Sequence, residues 1–333
     1  MTGTTQRLLT PAAFVLLLAA CGESATPLPQ VDSGGSGGAP GGAGQPSAGT
    51  PATPGAGTSA GGQAGTGGMV ASGGSGGESS GAGSGGASTG GAGTGGAGGA
   101  SADGWVKIFN GQDLTGWSPM IHKSAYKADP YNTFRADATN HVIQVTYQDY
   151  PGGNFDERCG LLYFDQYLTD YRVRLTYRFK EPQAQNPVGW GKNNTGLMIF
   201  ALDPTQVTGD PMFPPLIEIQ LLGTPSSGGT NNANLCQPGG MTVQMLHGEP
   251  TPGGNCFDST SGPARPAAEW TTVEAEVHVA GDTKVYQHPD LTTPVLTISG
   301  PIYGGKPVLG GYLALQSESQ PLEFKDIELK ELP

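Results

Sequence analysis

Two short segments of the chain carry a carboxylate and a carboxamide at alternating positions. Glu218 and Gln220 lie in one segment, and Gln316 and Glu318 lie in the other. Alternate side chains of an extended strand share a face, so we expect each pair to share one face and the intervening apolar residues to share the other. A carboxylate held beside an amide can bind sugar hydroxyl groups or transfer a proton. The simpler interpretation is two strands that each have one solvated side.

The elements that must position these side chains are predicted to be strands. Residues 170–179 place five apolar side chains on one face, and residues 273–279 alternate in the same way. Clusters of Gly, Pro and Asn separate such runs, and a change of phase near residues 325–326 predicts a β-bulge. Many short strands with these turns predict an all-β sandwich of two antiparallel sheets.

The N-terminal residues predict export and a lipid anchor. Arg7 precedes the apolar run 8–20, which is too short to span a membrane and is typical of a signal peptide over residues 1–20. Residues 18–21 end in Cys21 and resemble a bacterial lipobox, whose cysteine is lipid-modified. We therefore expect a protein anchored to the cell envelope, in contact with the membrane through its lipid only. An ordinary signal peptide with an incidental Cys21 is the alternative.

Residues 21–103 predict a disordered linker between this cysteine and the folded domain. The segment consists mainly of Gly, Ala, Ser, Thr and Pro, and it holds more than half of the 57 glycines in the 333-residue chain. Such a composition buries too little apolar surface to offset its ordering entropy. Its Gly-x-Gly runs follow no strand and open no helix, so we do not interpret them as phosphate-binding loops.

The remaining segment, residues 104–333, is predicted to be one domain with an acidic balance. It carries 15 basic and 24 acidic residues, a net charge of −9, within a chain of net charge −12. This charge argues against nucleic acid or an anionic membrane surface as the partner. It suits an uncharged partner such as a carbohydrate.

The positions of the cysteines and histidines support predictions about disulfide bonding and metal binding. Cys236 and Cys256 lie in a segment rich in Gly, Pro and Asn, where we expect a disulfide worth about 3 kcal/mol, whereas Cys159 lies beside an apolar strand and is expected to be a buried thiol. The five histidines show no metal-ligand spacing, so we predict no zinc site and no cofactor. The sequence leaves a calcium site built from loop oxygens as an alternative.

Seven stretches of the domain resemble one known family. They follow one another in one order from Trp105 to the C-terminus, and they are residues 106–117, 171–179, 194–198, 217–223, 234–239, 310–319 and 321–327, with Trp270 between the fifth and the sixth. In these stretches the chain is similar to the 3-keto-disaccharide hydrolase family, also described as 3-keto-glucoside 1,2-lyases and 3-keto-2-hydroxy-glucal hydratases. The resemblance implies a concanavalin A-like jelly roll.

The same resemblance implies cleavage of 3-keto-glucosides by proton abstraction, elimination of the aglycone and hydration. Glu218 is then the expected base, Glu318 the partner acid or second base, and Arg158 a group that stabilises the enolate. The alternative for Arg158 is a surface ion pair. Sugar hydroxyl groups would be held by the amides of Gln220, Gln316 and Asn194. A sugar oxidoreductase would supply the keto sugar.

Aromatic side chains could bind a sugar ring whether or not the domain cleaves it. The candidates are Trp117, Trp190, Trp270 and Tyr312, and the alternative for each tryptophan is packing in the core or at a rim.

The chain also departs from the family pattern. Family members often carry His or Arg at four positions that are uncharged here, namely Leu161, Asn193, Phe200 and Asn255. These replacements leave a second interpretation open, a carbohydrate-binding lipoprotein of the same fold without catalysis. A third is a purely structural surface protein that the linker displays.

Overall fold

The computed structural model describes residues 101–333. The predicted signal peptide, Cys21 and nearly all of the predicted linker therefore lie outside the described residues. Among residues 101–333 no helix is long and apolar enough to cross a membrane. The helical elements of this part are three short 3-10 turns at Pro151–Gly153, Pro204–Gln206 and Pro238–Gly240.

All other regular elements of the described part are strands. The first ten are β1 (Val106–Lys107), β2 (Trp117–Ile121), β3 (Phe134–Asp137), β4 (Val142–Val145), β5 (Gly160–Phe164), β6 (Tyr171–Phe179), β7 (Asn194–Ala201), β8 (Ile217–Thr224), β9 (Asn234–Cys236) and β10 (Thr242–Leu246). The others are β11 (Glu249–Pro250), β12 (Cys256–Phe257), β13 (Arg265–Pro266), β14 (Thr271–Val277), β15 (Asp282–Gln287), β16 (Leu296–Tyr303), β17 (Lys306–Pro307), β18 (Tyr312–Ser317) and β19 (Leu322–Glu331).

The strands form two sheets. The large sheet has the order β11-β10-β16-β15-β14-β6-β19-β4-β3, with β1 beside β19 and β17 beside β16. The small sheet has the order β12-β9-β8-β7-β18-β5-β2, with β13 added to β8. All strand pairs are antiparallel except β13 with β8. The prediction of an all-β sandwich of two antiparallel sheets is confirmed.

The core lies between the inner faces of the two sheets. In β6 the predicted face of Tyr171, Val173 and Leu175 is buried, while the arginines between them remain partly exposed. From the small sheet, Ile217 and Ile219 join the same apolar cluster. Because the side chains of a strand alternate, this burial turns the even-numbered residues of β8 to the outer face.

Two local predictions are confirmed as well. The register between β6 and β19 shifts between Lys325 and Glu328, with Asp326 at φ 47°, which is the expected bulge. Cys236 and Cys256 form a disulfide that joins β9 to β12, with Cα atoms 4.1 Å apart. Cys159 is buried and free within the described residues.

Candidate active site

The outer face of the small sheet carries the two predicted carboxylate–carboxamide pairs. Glu218 pairs with Met198 and Gln220 with Gly196 across the β8–β7 register. On the other side of β7, Met198 pairs with Ala314 in β18. Gln316 lies two residues beyond Ala314, so it shares the face with Glu218 and Gln220. Three adjacent central strands thus position the polar groups.

Glu318 follows β18 directly and is bound to this face by two hydrogen bonds. Its Oε1 atom accepts one from the indole Nε1 of Trp190 at 2.9 Å and one from Nε2 of Gln316 at 3.2 Å. The residue is only 3% exposed, and Oε2 is buried with no partner among the described residues. One oxygen of this carboxyl is therefore fixed, and the other has unused hydrogen-bonding capacity.

Glu218 reaches over a glycine of the neighbouring strand. The residue is 6% exposed. A methyl group added at Gly196 would lie 2.8 Å from Oε1 of Glu218 and 2.9 Å from its Cγ. Because Gly196 has no side chain, it leaves the space that the Glu218 side chain occupies.

The two carboxyls interact electrostatically. Burial raises the pKa of Glu218 to about 8 from its ordinary value of 4.5. Burial also raises the pKa of Glu318 well above 4.5, the charge of Glu218 raises it further, and the hydrogen bond from Trp190 opposes both. Two buried carboxyls that interact do not ionise together readily. At neutral pH the pair therefore retains at least one proton, and the unpartnered Oε2 of Glu318 is the atom suited to carry it.

Two further predicted amides lie around the pair. Asn194 donates from Nδ2 to the backbone oxygen of Trp190 at 3.0 Å, and its own Oδ1 is buried without a partner in the described part. Gln220 is half-buried and accepts from Nδ2 of Asn234 at 3.3 Å. Gln316 is fully buried, so its amide positions Glu318 instead of lying in contact with solvent.

The rim of the site combines aromatic and apolar side chains. Trp190 is 46% exposed although its indole N–H is tied to Glu318. Tyr312 lies partly exposed on the same face of β18. Beside the carboxyls, the face is covered by a small apolar cluster that includes Leu161, Tyr163 and Met198. A flat ring and apolar neighbours around buried polar groups suit a sugar ring.

The structure does not bring Arg158 to this site. Its guanidinium donates to the backbone oxygen of Lys123 at 3.2 Å, approaches Asp156 at 3.5 Å and lies 5.1 Å from the ring centre of Tyr131. No contact with Glu218 or Glu318 occurs among the described residues. The predicted role at the enolate stays a prediction, and the contacts that this side chain makes are those of the alternative, an ion pair.

Two of the four aromatic candidates also lie elsewhere. Trp117 is 5% exposed, packs in the core and donates from Nε1 to the backbone oxygen of Ile108 at 2.9 Å, so it offers no surface to a substrate. Trp270 lies between the cationic groups of Arg178 and Lys325, at 4.3 and 4.4 Å from its ring centre. Its neighbours belong to the large sheet, away from the carboxyl pair.

The four uncharged positions have different surroundings. Leu161 lies on the outer face beside the site. Asn193 is buried and donates to the backbone oxygen of Pro225 at 2.7 Å. Phe200 belongs to the core, and Asn255 lies exposed in the loop before β12. Of the four, Leu161 is the one that the structure shows on the face of the carboxyl pair, where it pairs with Gln316 across the β18–β5 register.

Sequence reasoning missed two features of the site. Trp190 was considered as a stacking surface, or as packing in the core or at a rim, and its bond to Glu318 spans 128 residues of sequence. Gly196 was part of a matching stretch, but its role in making room for Glu218 was not foreseen. The glycine next to Trp190 was a usable signal, because a side chain at Gly191 would collide with the backbone oxygen of Glu318 and with Ser319.

Cys159 is the remaining candidate nucleophile, and the acidic, histidine and cysteine side chains are the remaining candidate metal ligands. Burial, and then the charges of Glu318 and Glu218, raise the pKa of the Cys159 thiol well above 9.0, which makes it a poor nucleophile. Within residues 101–333 no group of three or more His, Cys, Asp or Glu side chains is arranged to hold a metal ion.

Comparisons with known proteins place the chain in context. The family described as the 3-keto-alpha-glucoside-1,2-lyase-like domain matches residues 104–330. None of the curated proteins compared with the chain matches it.

Solved structures that resemble the chain do so distantly. They include two candidate glycosyl hydrolases from Parabacteroides distasonis. The first is 14% identical with a TM-score of 0.43, and the match covers 70% of this chain and 96% of that chain. The second is 11% identical with a TM-score of 0.42, and the match covers 68% of this chain and 99% of that chain. The carbohydrate-binding module CBM66 from Bacillus subtilis is 9% identical with a TM-score of 0.35, and the match covers 68% of this chain and 96% of that chain. Similarity at this level adds no argument about activity.

Proposed function

The chain belongs to the 3-keto-alpha-glucoside-1,2-lyase-like domain family, which supports a carbohydrate-related function, and we propose that it cleaves 3-keto-glucosides. The observation that carries the proposal is the interacting pair of buried carboxyls, Glu218 and Glu318, on one face of one sheet. Burial raises the pKa of both carboxyls, and only Glu318 has one oxygen held by Trp190 and Gln316. Such a pair can act as base and acid in one reaction.

The proposed first step is removal of the proton at C2 of the sugar. The ketone at C3 makes this C–H bond acidic, because the electron pair left at C2 is delocalised onto the ketone oxygen as an enolate. The carboxylate form of Glu218 takes the proton. A pKa of about 8 makes it a stronger base than an exposed glutamate, and its ionised fraction grows as the pH rises towards 8.

The proposed second step expels the aglycone. The enolate re-forms the ketone, the electron pair at C2 forms a double bond to C1, and the C1–oxygen bond breaks. Oε2 of Glu318 is the unpartnered atom of the acid in the pair, and its proton passes to the departing oxygen. Water then adds across the C1–C2 double bond to give the free keto sugar.

Hydrogen bonds support this assignment of roles. Trp190 and Gln316 both donate to Oε1 of Glu318. A proton on this carboxyl is therefore expected on the other oxygen, Oε2. Oδ1 of Asn194 and the amide of Gln220 are suited to hold sugar hydroxyl groups, and the exposed ring of Trp190 is suited to pack against the sugar.

The second candidate function is carbohydrate binding without cleavage. It is favoured by one observation: among residues 101–333 no Lys or Arg side chain contacts either carboxyl, so the enolate charge has no cationic partner from this part of the chain. Leu161 lies at the site where family members often carry a basic residue.

One experiment separates the two functions. The purified protein is incubated with a panel of glucosides and with their 3-keto forms, and released aglycone is measured. We expect release from a keto form and none from the parent glucoside. Binding of glucosides without release from any keto form would favour the binding function instead.

The setting of the reaction is also a proposal. Residues 1–21 support a lipoprotein signal and an acylated Cys21, which would tether the domain to the envelope through a Gly-rich segment. Because a 3-keto sugar must arise by oxidation of a C3 hydroxyl group, an oxidoreductase acting on glycosides would supply the substrate.

A further inference from the structure

A second cavity lies apart from the carboxyl pair. Its volume is about 340 Å³, and it is lined by residues of β4, by the start of β19 and by the segment 180–185. None of the lining residues is a member of the carboxyl pair or donates to it. The volume is at the lower end of the range for small-molecule sites, about 300–1,000 Å³.

Four glutamines line this cavity, and their amides are only partly used. Gln144 donates from Nε2 to Asp137 at 3.1 Å, and Gln183 donates from Nε2 to Oγ of Ser319 at 3.1 Å. The carboxamide oxygens of both residues accept no hydrogen bond within the described residues. The other two glutamines are Gln148 and Gln185, both exposed. The cavity therefore offers acceptors and donors at several points.

Three charged side chains line the cavity: Lys180 and Glu323 interact with each other, and Glu181 is exposed. Lys180 lies 3.7 Å from Oε1 of Glu323, whose Oε2 also binds Arg178 at 2.7 Å. The exposed ring of Pro182 adds apolar surface to the lining. Amides beside an apolar surface suit the hydroxyl groups and C–H faces of a sugar, whereas a phosphate or carboxylate finds no unpaired cation among the lining residues.

The backbone around the cavity is already hydrogen-bonded. Three backbone N–H groups of the segment 180–185 donate to backbone oxygens elsewhere. These bonds run from Lys180 to Pro321 at 2.8 Å, from Ala184 to Ser319 at 3.0 Å and from Gln185 to Gly153 at 2.9 Å. β4 is paired with β3 on one side and with β19 on the other. No strand edge of β4 is open to an added peptide strand, and little ordering is needed when a ligand binds.

We propose that this cavity is a second saccharide-binding site for an uncharged mono- or disaccharide. It shares no residue with the carboxyl pair, so it does not depend on the proposed cleavage reaction. Such a site would hold a neutral glycan while leaving the carboxyl pair free.

The probes for the test are cellobiose and maltose, with glucose 6-phosphate as a charged comparison. The full-length protein is titrated with each probe, and its backbone amide signals are followed by ¹⁵N NMR. We expect cellobiose or maltose to shift the signals of residues 144–148 and 181–185, and glucose 6-phosphate to leave them in place. Gln144→Leu and Gln183→Leu should each weaken this binding by about 3- to 10-fold, the effect of one lost hydrogen bond.

The controls make the assignment specific to the cavity. Gln206→Leu is the same change at an exposed glutamine outside both sites, and it should not alter the dissociation constant. Glu218→Gln should also leave binding in the cavity unchanged. The proposal is wrong if neither neutral sugar shifts the cavity signals, if the shifts persist at the same affinity in both cavity variants, or if glucose 6-phosphate binds there more tightly. If a variant fails to fold, the titration of the wild type still tests whether a neutral sugar binds in the cavity.

Discussion

The indole Nε1 of Trp190 lies 2.9 Å from Oε1 of Glu318, so a half-exposed ring at the rim of the site is tied to a carboxyl at its floor. This bond fixes one oxygen of Glu318 and favours its ionised form, against burial and the charge of Glu218, which both favour the protonated form. A sugar that packs on the ring would therefore contact the same residue that sets the orientation of the acid.

Replacing Trp190 by Phe keeps an aromatic ring and removes the donor. We expect the rate of aglycone release to fall by roughly tenfold, as for the loss of one hydrogen bond to an ionisable group. Since the bond lowers the pKa of Glu318, its loss should also move the alkaline limb of the pH–rate profile to higher pH.

Trp270→Phe is the matched control for this variant, because it makes the same change on the large sheet, where the ring contacts Arg178 and Lys325. It should leave the pH–rate profile unchanged. An unaltered profile in Trp190→Phe would show that the indole bond does not position the acid.

Gly196→Ala should reduce activity without unfolding the protein. The new methyl group would lie 2.6 Å from Cε of Met198, and 2.8 Å from Oε1 and 2.9 Å from Cγ of Glu218, so the whole Glu218 side chain has to shift. Displacing the base should lower kcat by about 10- to 100-fold, as small misplacements of a catalytic group do.

Gly189→Ala tests whether this effect is local. The position has open space around an added methyl group, so the variant should keep the wild-type rate and melting temperature. Equal rates in Gly196→Ala and Gly189→Ala would contradict the placement of Glu218 over Gly196.

Glu218→Gln should change the dependence of stability on pH. The fold raises the pKa of Glu218 from 4.5 to about 8, so the folded protein keeps a proton that the unfolded chain loses. The wild type therefore loses stability as the pH rises from about 4.5 to 8, and glutamine at this position has no such proton to lose. Above pH 8 the variant should melt a few degrees higher than the wild type, and near pH 4 the two should converge.

Thermal unfolding across this pH range checks the prediction, with Glu249→Gln as the control at an exposed glutamate. The control should follow the wild type at every pH. A Glu218→Gln variant that melts lower than the wild type at pH 9 would argue against a costly buried carboxylate at this position.

Cys21→Ser addresses the predicted anchor. The acyl chains on Cys21 are the only strong membrane contact that the sequence predicts, so the variant should become soluble or stay unprocessed. Membrane fractionation of cells that express each form measures the effect. Recovery of the variant in the membrane fraction at the wild-type level would rule out lipidation as the anchor.

Strand parity was enough to predict which residues share a face, because alternation within a strand is a local property. It placed Glu218 with Gln220 and Gln316 with Glu318, and the burial of Ile217 and Ile219 agrees with it. The order of β8, β7 and β18 in the small sheet then brought the two pairs together, and local alternation does not predict that order.

Contacts that strand alternation does not specify explain the differences between the expected and the observed surroundings. Trp117 is a typical stacking residue by type, yet its indole donates to the core backbone at Ile108. Arg158 contacts the backbone oxygen of Lys123 and the nearby carboxylate of Asp156, and strand alternation does not specify which partners a loop arginine faces. The bond from Trp190 to Glu318 was missed for the same reason.

The central claim is that Glu218 removes the proton that starts cleavage. The most direct test compares the rate of aglycone release from a 3-keto-glucoside by the wild type and by Glu218→Gln at pH 8. We predict a rate lower by roughly 10²–10⁴-fold, the usual contribution of general base catalysis, with binding of the parent glucoside intact. A Glu218→Gln protein that releases the aglycone at the wild-type rate would contradict the claim.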